Sequence, residues 1–152
     1  MNETPVESDS PKAGISKLPL VAALVALAGL ADAIYLTVHA YAATPVPCGE
    51  GFDCEMVLTS PYAEIAGIPL AVFGAAAYFV AFSLALLTTF GDARMWRIFG
   101  VLVLCMAAFS GWLIYVQAAL IHAFCQYCLV SAGTTFTLLI IFIISMLVRK
   151  VE

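Results

Sequence analysis

Five cysteines carry most of the chemical information in this chain: Cys48, Cys54, Cys105, Cys125 and Cys128. The tightest pair, in Cys125-Gln126-Tyr127-Cys128, closes too small a ring to restrain an unfolded chain much, so a purely structural disulfide there would stabilise little. The spacing suits reversible redox work instead. At a helix N-terminus, unpaired backbone N–H groups and the helix dipole favour a thiolate, the species that attacks a disulfide or an electrophilic carbon. Cys48 and Cys54 lie in the stretch Pro47-Cys48-Gly49-Glu50-Gly51-Phe52-Asp53-Cys54, where a structural staple and a redox pair are equally good readings. A four-thiolate zinc site is a third chemistry, but only the Cys-x-x-Cys pair has the short knuckle spacing that zinc favours, and no metal ligand is assigned. Covalent haem is excluded, because Leu129 rather than a histidine follows Cys128. Cys105 stands alone and reads as a small packing residue.

The elements that position these sulfurs are set by composition. Of 152 residues, 64% are apolar and 11% charged, whereas a soluble domain runs nearer half and a quarter. Too little polar surface remains to cover a water-facing fold. Residues 68–90, 98–119 and 129–148 carry no charge, and residues 18–43 carry only Asp32. Each stretch can cross a hydrocarbon core of ~30 Å as a helix rising ~1.5 Å per residue. The expected fold is an all-α membrane protein, a bundle of four transmembrane helices over residues 18–152, with residues 1–17 as a flexible cytoplasmic tail. A separate soluble domain, a nucleic-acid-binding surface and a broad polar cleft are excluded. Ala40-Tyr41-Ala42 has the look of a signal-peptide cleavage site, but the mixed charges before it and the length of the apolar run favour a retained helix.

Charge orients the bundle. All six basic residues, Lys12, Lys17, Arg94, Arg97, Arg149 and Lys150, fall on the side shared by the two termini and the loop near 91–97, which the positive-inside rule places in the cytoplasm. The loops near 44–67 and 120–127 then face out. The formal net charge of −4 argues only against a polybasic lipid-binding patch. Four of the five cysteines therefore collect at the outer face, where thiols can oxidise and remain oxidised. One sulfur of the Cys-x-x-Cys pair can face a water-side thiol while the other, a turn deeper, faces a two-electron acceptor dissolved in lipid, for which an isoprenoid quinone is suited. Tyr115 and Gln117 lie within reach of that face, for interhelical hydrogen bonds or a quinone carbonyl. Asp32 is expected to turn away from lipid. His39 and His122 are candidate proton relays. Ser60 is expected to cap the turn led by Pro61. Trp96 and Trp112 fit helix ends or the core.

A family resemblance rests on several of these residues together. The string Cys54-Glu55-Met56-Val57-Leu58-Thr59-Ser60-Pro61-Tyr62, then Gly67-Ile68-Pro69-Leu70 and Phe73-Gly74, then Cys125-Gln126-Tyr127-Cys128-Leu129-Val130-Ser131-Ala132, resembles the vitamin K epoxide reductase family in its bacterial branch. Gly29-Leu30 and Tyr35-Leu36-Thr37-Val38-His39 extend the likeness into the first helix, so that it covers roughly residues 20–148. The order of the pairs separates the chain from the other four-helix quinone-linked thiol oxidases, whose Cys-x-x-Cys pair comes in the first outward loop.

The resemblance implies a bundle in the bacterial cytoplasmic membrane that holds ubiquinone or menaquinone near its outer end, under a short lid helix after Cys54. It implies that Cys128 lies beside the quinone with Leu58, Ser60, Leu70 and Phe73 around the ring, and that Cys125 pairs with Cys128 and exchanges with Cys54. Cys48 would meet an extracytoplasmic DsbA-like or thioredoxin-like protein, and disulfide formation would be the outcome. Many bacterial relatives carry a thioredoxin-like domain after a further helix; this sequence ends at Glu152, so that partner is expected to be a separate protein. Where vertebrate members have a tyrosine four residues after the last cysteine this chain has Ala132, and an asparagine aligns near Leu70. Both polar groups are expected to contact the quinone. Quinone reduction is therefore carried over and epoxide reduction is not, because opening an epoxide needs a proton donor at its oxygen. The competing reading is a non-catalytic membrane protein with structural disulfides or a four-cysteine metal site.

Overall fold

In the computed structural model, which describes residues 17–151, four long helices form the bundle: α1 (Lys17–Ala42), α3 (Leu70–Thr89), α4 (Ala93–Tyr115, continued by a π-helical segment Val116–Ile121) and α5 (Gln126–Val151). A five-residue helix, α2 (Cys54–Leu58), lies in the connection between α1 and α3. All four long helices are long and apolar enough to cross a membrane. The expected tail lies outside the described residues except for Lys17, which opens α1. All-α is correct but for a small antiparallel hairpin, β1 (Glu64–Ile65) with β2 (Ile68–Pro69), turned by Ala66 and Gly67 at positive φ. That turn is the kind a two-residue hairpin requires, and it removes Ile68 and Pro69 from the span expected over 68–90. The loop expected near 91–97 is shorter than expected. Gly91 turns at φ 111°, and Asp92 caps α4 by accepting the Arg94 N–H at 3.1 Å, so Arg94 and Arg97 are helical.

Close packing of α1 on α3 is possible because the buried stripe of α1 is small: Ala22, Ala26, Gly29 and Ala33 recur at helical spacing. The ring of Tyr78, itself buried, lies directly over Gly29, and Phe142 of α5 lies over Gly100 of α4 in the same way. In the cytoplasm-facing half of the expected orientation the bundle is solid. Trp96 stacks on Phe99 at 4.7 Å between ring centroids, and Phe142 closes in at 5.9 Å from Trp96, with Val103 and Leu138 filling the remaining space. Trp96 is thus a core residue, while Trp112 stands on the outer surface beside Phe109 and Tyr62. Cys105 is also exposed rather than packed in the core. A Gly29→Val protein is expected to lose about 3 kcal/mol, because the added side chain and the Tyr78 ring would occupy one space. A thermal midpoint in detergent equal to that of the parent would refute this contact.

Candidate functional site

The other half of the bundle is hollow. A cavity of about 860 Å³ with a mostly apolar lining lies among α1, α3, α4 and α5 beneath α2. Of the residues expected around a quinone ring, Leu58, Ser60, Leu70, Phe73, Gln117 and Cys128 all line it. Tyr115 does not: its side chain is 60% exposed and lies outside the lining. Two residues apart on a helix point roughly 200° apart, so Tyr115 and Gln117 could not both face one cavity. Sequence reasoning missed Ser131 and Thr135, which line the same wall. They follow Cys128 at helical i+3 and i+7 spacing, a signal that was there to find. The hydroxyl of Tyr78 joins them, donating to the Ser131 carbonyl at 2.5 Å and lying 2.8 Å from Thr135 Oγ1.

The lid is built locally. Asp53 accepts the Met56 N–H at 3.1 Å and starts α2, which turns Cys54 and Val57 inward and leaves Glu55 and Met56 exposed. Ser60, expected to cap the turn ahead of it, instead donates its hydroxyl back to the Val57 carbonyl at 2.7 Å and closes the end of α2. A disulfide joins Cys48 to Cys54 with 6.0 Å between the Cα atoms. Cys125 and Cys128 carry free thiols, so only one of the two possible staples is formed. Among the described residues no group of three or more His, Cys, Asp or Glu side chains is placed to hold a metal ion.

Gln117 organises the approach to Cys125. The π-helical segment ends at His122, whose φ of 57° reverses the chain, and the Gln117 carbonyl accepts the N–H groups of both His122 and Ala123. Its buried side chain then accepts the Cys125 N–H at 2.9 Å. One residue thus fixes three backbone positions of the turn that delivers Cys125 to the start of α5. There the Cys125 sulfur takes a capping position and accepts the Cys128 N–H at 3.5 Å. A hydrogen bond from the Cys128 thiol, helped by backbone N–H groups and opposed by burial, pulls the Cys125 thiol down to about 7. Near neutral pH it is thus far more readily ionised than an ordinary thiol.

The four outer cysteines meet. Cys54 and Cys125 are both fully buried in one cluster with Val57 and Ala123, and Cys48 and Cys128 pack against it half-exposed. Cys128, a turn further along α5, also forms part of the cavity wall, so the Cys-x-x-Cys pair bridges the lid cluster and the cavity. A profile of the vitamin K epoxide reductase family matches residues 20–143. The chain belongs to the vitamin K epoxide reductase family. Membership makes it a multi-pass membrane thiol–disulfide oxidoreductase, in a family whose enzymes use quinones and generally work with thioredoxin-like partners. The cavity wall is mostly apolar and is interrupted by polar side chains, Gln117, Ser131 and Thr135 among them.

The remaining candidates divide. His39 reaches the cavity lining, with Nδ1 2.8 Å from Thr44 Oγ1, whereas His122 is exposed and outside it. Asp32 turns into the bundle, as its place in a span requires, and its Oδ2 is buried without a hydrogen-bond partner among the described residues.

Proposed function

We propose that this family member reoxidises an extracytoplasmic DsbA-like or thioredoxin-like dithiol protein and passes the electrons to ubiquinone or menaquinone in the bacterial cytoplasmic membrane. The observation that carries this reading is the shared cluster of Cys48, Cys54, Cys125 and Cys128, with Cys128 alone among them on the cavity wall. Burial supports an order. A partner thiolate can attack only Cys48, because Cys54 is 1% exposed and Cys125 0%. That attack reduces the Cys48–Cys54 disulfide and leaves the partner oxidised. The Cys54 thiolate then attacks Cys125, breaking the Cys125–Cys128 bond. Cys48 resolves the Cys54–Cys125 bond, restoring its own disulfide and leaving Cys125 and Cys128 as thiols. This is the redox state of the four cysteines in the structure. Formation of the Cys125–Cys128 disulfide then releases two electrons and two protons, which convert the quinone to the quinol. The Cys125 thiolate acts in that step by closing the bond to Cys128.

All five described basic residues lie at the end of the bundle opposite the cysteines, which supports the cytoplasmic placement of that end. Purified protein mixed with a reduced DsbA-type protein and ubiquinone-1 or menadione is expected to form quinol and oxidised partner in equal amounts. Continued turnover of quinone without a thiol donor, or none with it, would refute the reading. In intact cells treated with a reductant, a membrane-impermeant maleimide is expected to label Cys48. Labelling only after the cytoplasm is opened would reverse the topology.

A further inference from the structure

The two residues between the cysteines of the Cys-x-x-Cys pair are turned toward the other pair. Gln126 Oε1 accepts the Gly49 N–H at 3.0 Å, and the Tyr127 hydroxyl donates to the Pro47 carbonyl at 2.9 Å. Gly49 and Pro47 are the neighbours of Cys48 on either side. A third bond comes from beside Cys54, where the Asp53 N–H donates to the Phe124 carbonyl at 3.0 Å, and Phe124 precedes Cys125. Each cysteine of the loop disulfide is thus tied, through an adjacent residue, to a residue adjacent to Cys125 or Cys128. The Tyr127 ring is held in turn against Tyr35 of α1, 5.3 Å between centroids. Position 49 suits glycine, because a Cβ there would meet Gln126 Oε1 at 3.0 Å.

We infer that Gln126 and Tyr127 are positioning residues that latch the Cys48–Cys54 loop onto the start of α5, and so set the rate at which electrons cross from Cys54 to Cys125. The inference rests on the relay order proposed above. Without the latch, the loop is held only by α2 and the Asp53 bond, and Cys54 spends less time in line with the Cys125–Cys128 bond. Disulfide exchange needs the attacking sulfur in line with the bond it breaks, so a loosened loop slows that step while the chemistry of Cys125 and Cys128 on the quinone is untouched. A hydrogen bond of this kind is worth roughly two- to tenfold in a local equilibrium.

Fully reduced enzyme separates the two steps. Its four relay cysteines are then all thiols, and hold two electron pairs. Mixed with excess ubiquinone-1, it is expected to form quinol in two phases. The first equivalent comes directly from Cys125 and Cys128. The second waits for Cys54 to attack the new Cys125–Cys128 disulfide and for Cys48 to resolve it, after which the pair is reduced again.

In Tyr127→Phe, which keeps the ring and loses the hydroxyl, and in Gln126→Ala, the second phase is expected to slow several-fold, and in the double variant about tenfold. The first phase should stay within twofold of the parent in all three. Gln126→Glu, which keeps an acceptor for Gly49, should restore most of the rate of the second phase. Equal second-phase rates in parent and double variant would overturn the latch. So would a first phase that slows in step with the second, since the residues would then act on the Cys125–Cys128 pair itself. A parent that shows one equivalent only, or whose second phase survives Cys54→Ala, would show instead that the relay order is wrong, and the latch would fall with it.

Discussion

The Cys128→Ser protein is expected to reduce quinone at least on the order of a thousandfold more slowly than the parent, and to accumulate a crosslink between Cys54 and Cys125. The first effect follows from position. Cys128 is the outer cysteine on the cavity wall, and a serine at neutral pH supplies neither a thiolate nor a sulfur to pair with Cys125. The second follows from what is left behind. Cys125 remains buried beside Cys54, with its sulfur at the start of α5. Its thiolate attacks Cys54, the Cys48–Cys54 bond breaks, and Cys48 leaves as a thiol that an alkylating reagent can block. With Cys128 absent and Cys48 alkylated, no thiol remains to resolve the new bond.

The pH dependence of this trap follows from the same contacts. The hydrogen bond from Cys128 is the chief cause that lowers the Cys125 thiol to about 7; a serine at 128 can still donate one, so it is in the Cys128→Ala form of the trap, where no donor remains, that Cys125 moves toward the ordinary thiol range. Lowering that pKa favours thiolate, and less thiolate is present at any pH below the new, higher value. Crosslinking should therefore rise steeply with pH through neutrality and level off later than a midpoint near 7 would give. Non-reducing peptide mapping reads the bond. A Cys48–Cys125 crosslink in its place, or undiminished quinone reduction, would overturn the order of the relay.

Much of this architecture was legible because it is carried by long, local signals. Four charge-free or nearly charge-free stretches and one-sided basic residues define a bundle whatever its loops do, and the cysteine spacing names the chemistry. Less legible is which partner the polar and turn residues meet. Ile68 and Pro69 read as the start of a span, yet they pair with Glu64 and Ile65. Ser60 before Pro61 reads as an N-cap, yet its hydroxyl is taken by Val57 behind it. Gln117 read as a ligand for quinone or a bridge between helices, and no local pattern shows that it holds the backbone of residues 122, 123 and 125. Gln126 and Tyr127 carry no local signal of a role, because their partners, Gly49 and Pro47, are 77 and 80 residues away. Hydropathy and spacing place elements, whereas the polar contacts that tie loops together depend on a register only the folded chain defines.

Discrimination between a quinone and its 2,3-epoxide is expected to be large, with the epoxide reduced at least about a hundredfold more slowly, the range in which a general acid contributes. Ala132 and Leu70 both line the cavity, and the resemblance to vertebrate members places a tyrosine at the first position and an asparagine near the second. Neither can donate a proton. Opening the epoxide leaves charge on its oxygen, which needs a positioned donor in an apolar site, while a quinone accepts electrons into its ring system without breaking a ring bond. The hydroxyls nearest that wall are already engaged, since Tyr78 donates to the Ser131 carbonyl and lies 3.1 Å from Ser131 Oγ and 2.8 Å from Thr135 Oγ1. These three hydroxyls are thus held to one another. Substituting Ala132→Tyr with Leu70→Asn should raise epoxide turnover and leave quinone turnover within a few-fold, read as the ratio of the two rates under one thiol donor. Comparable parent rates on the two substrates would show that a proton reaches the epoxide oxygen by another route, for which Cys128 on the same wall would be the first group to test.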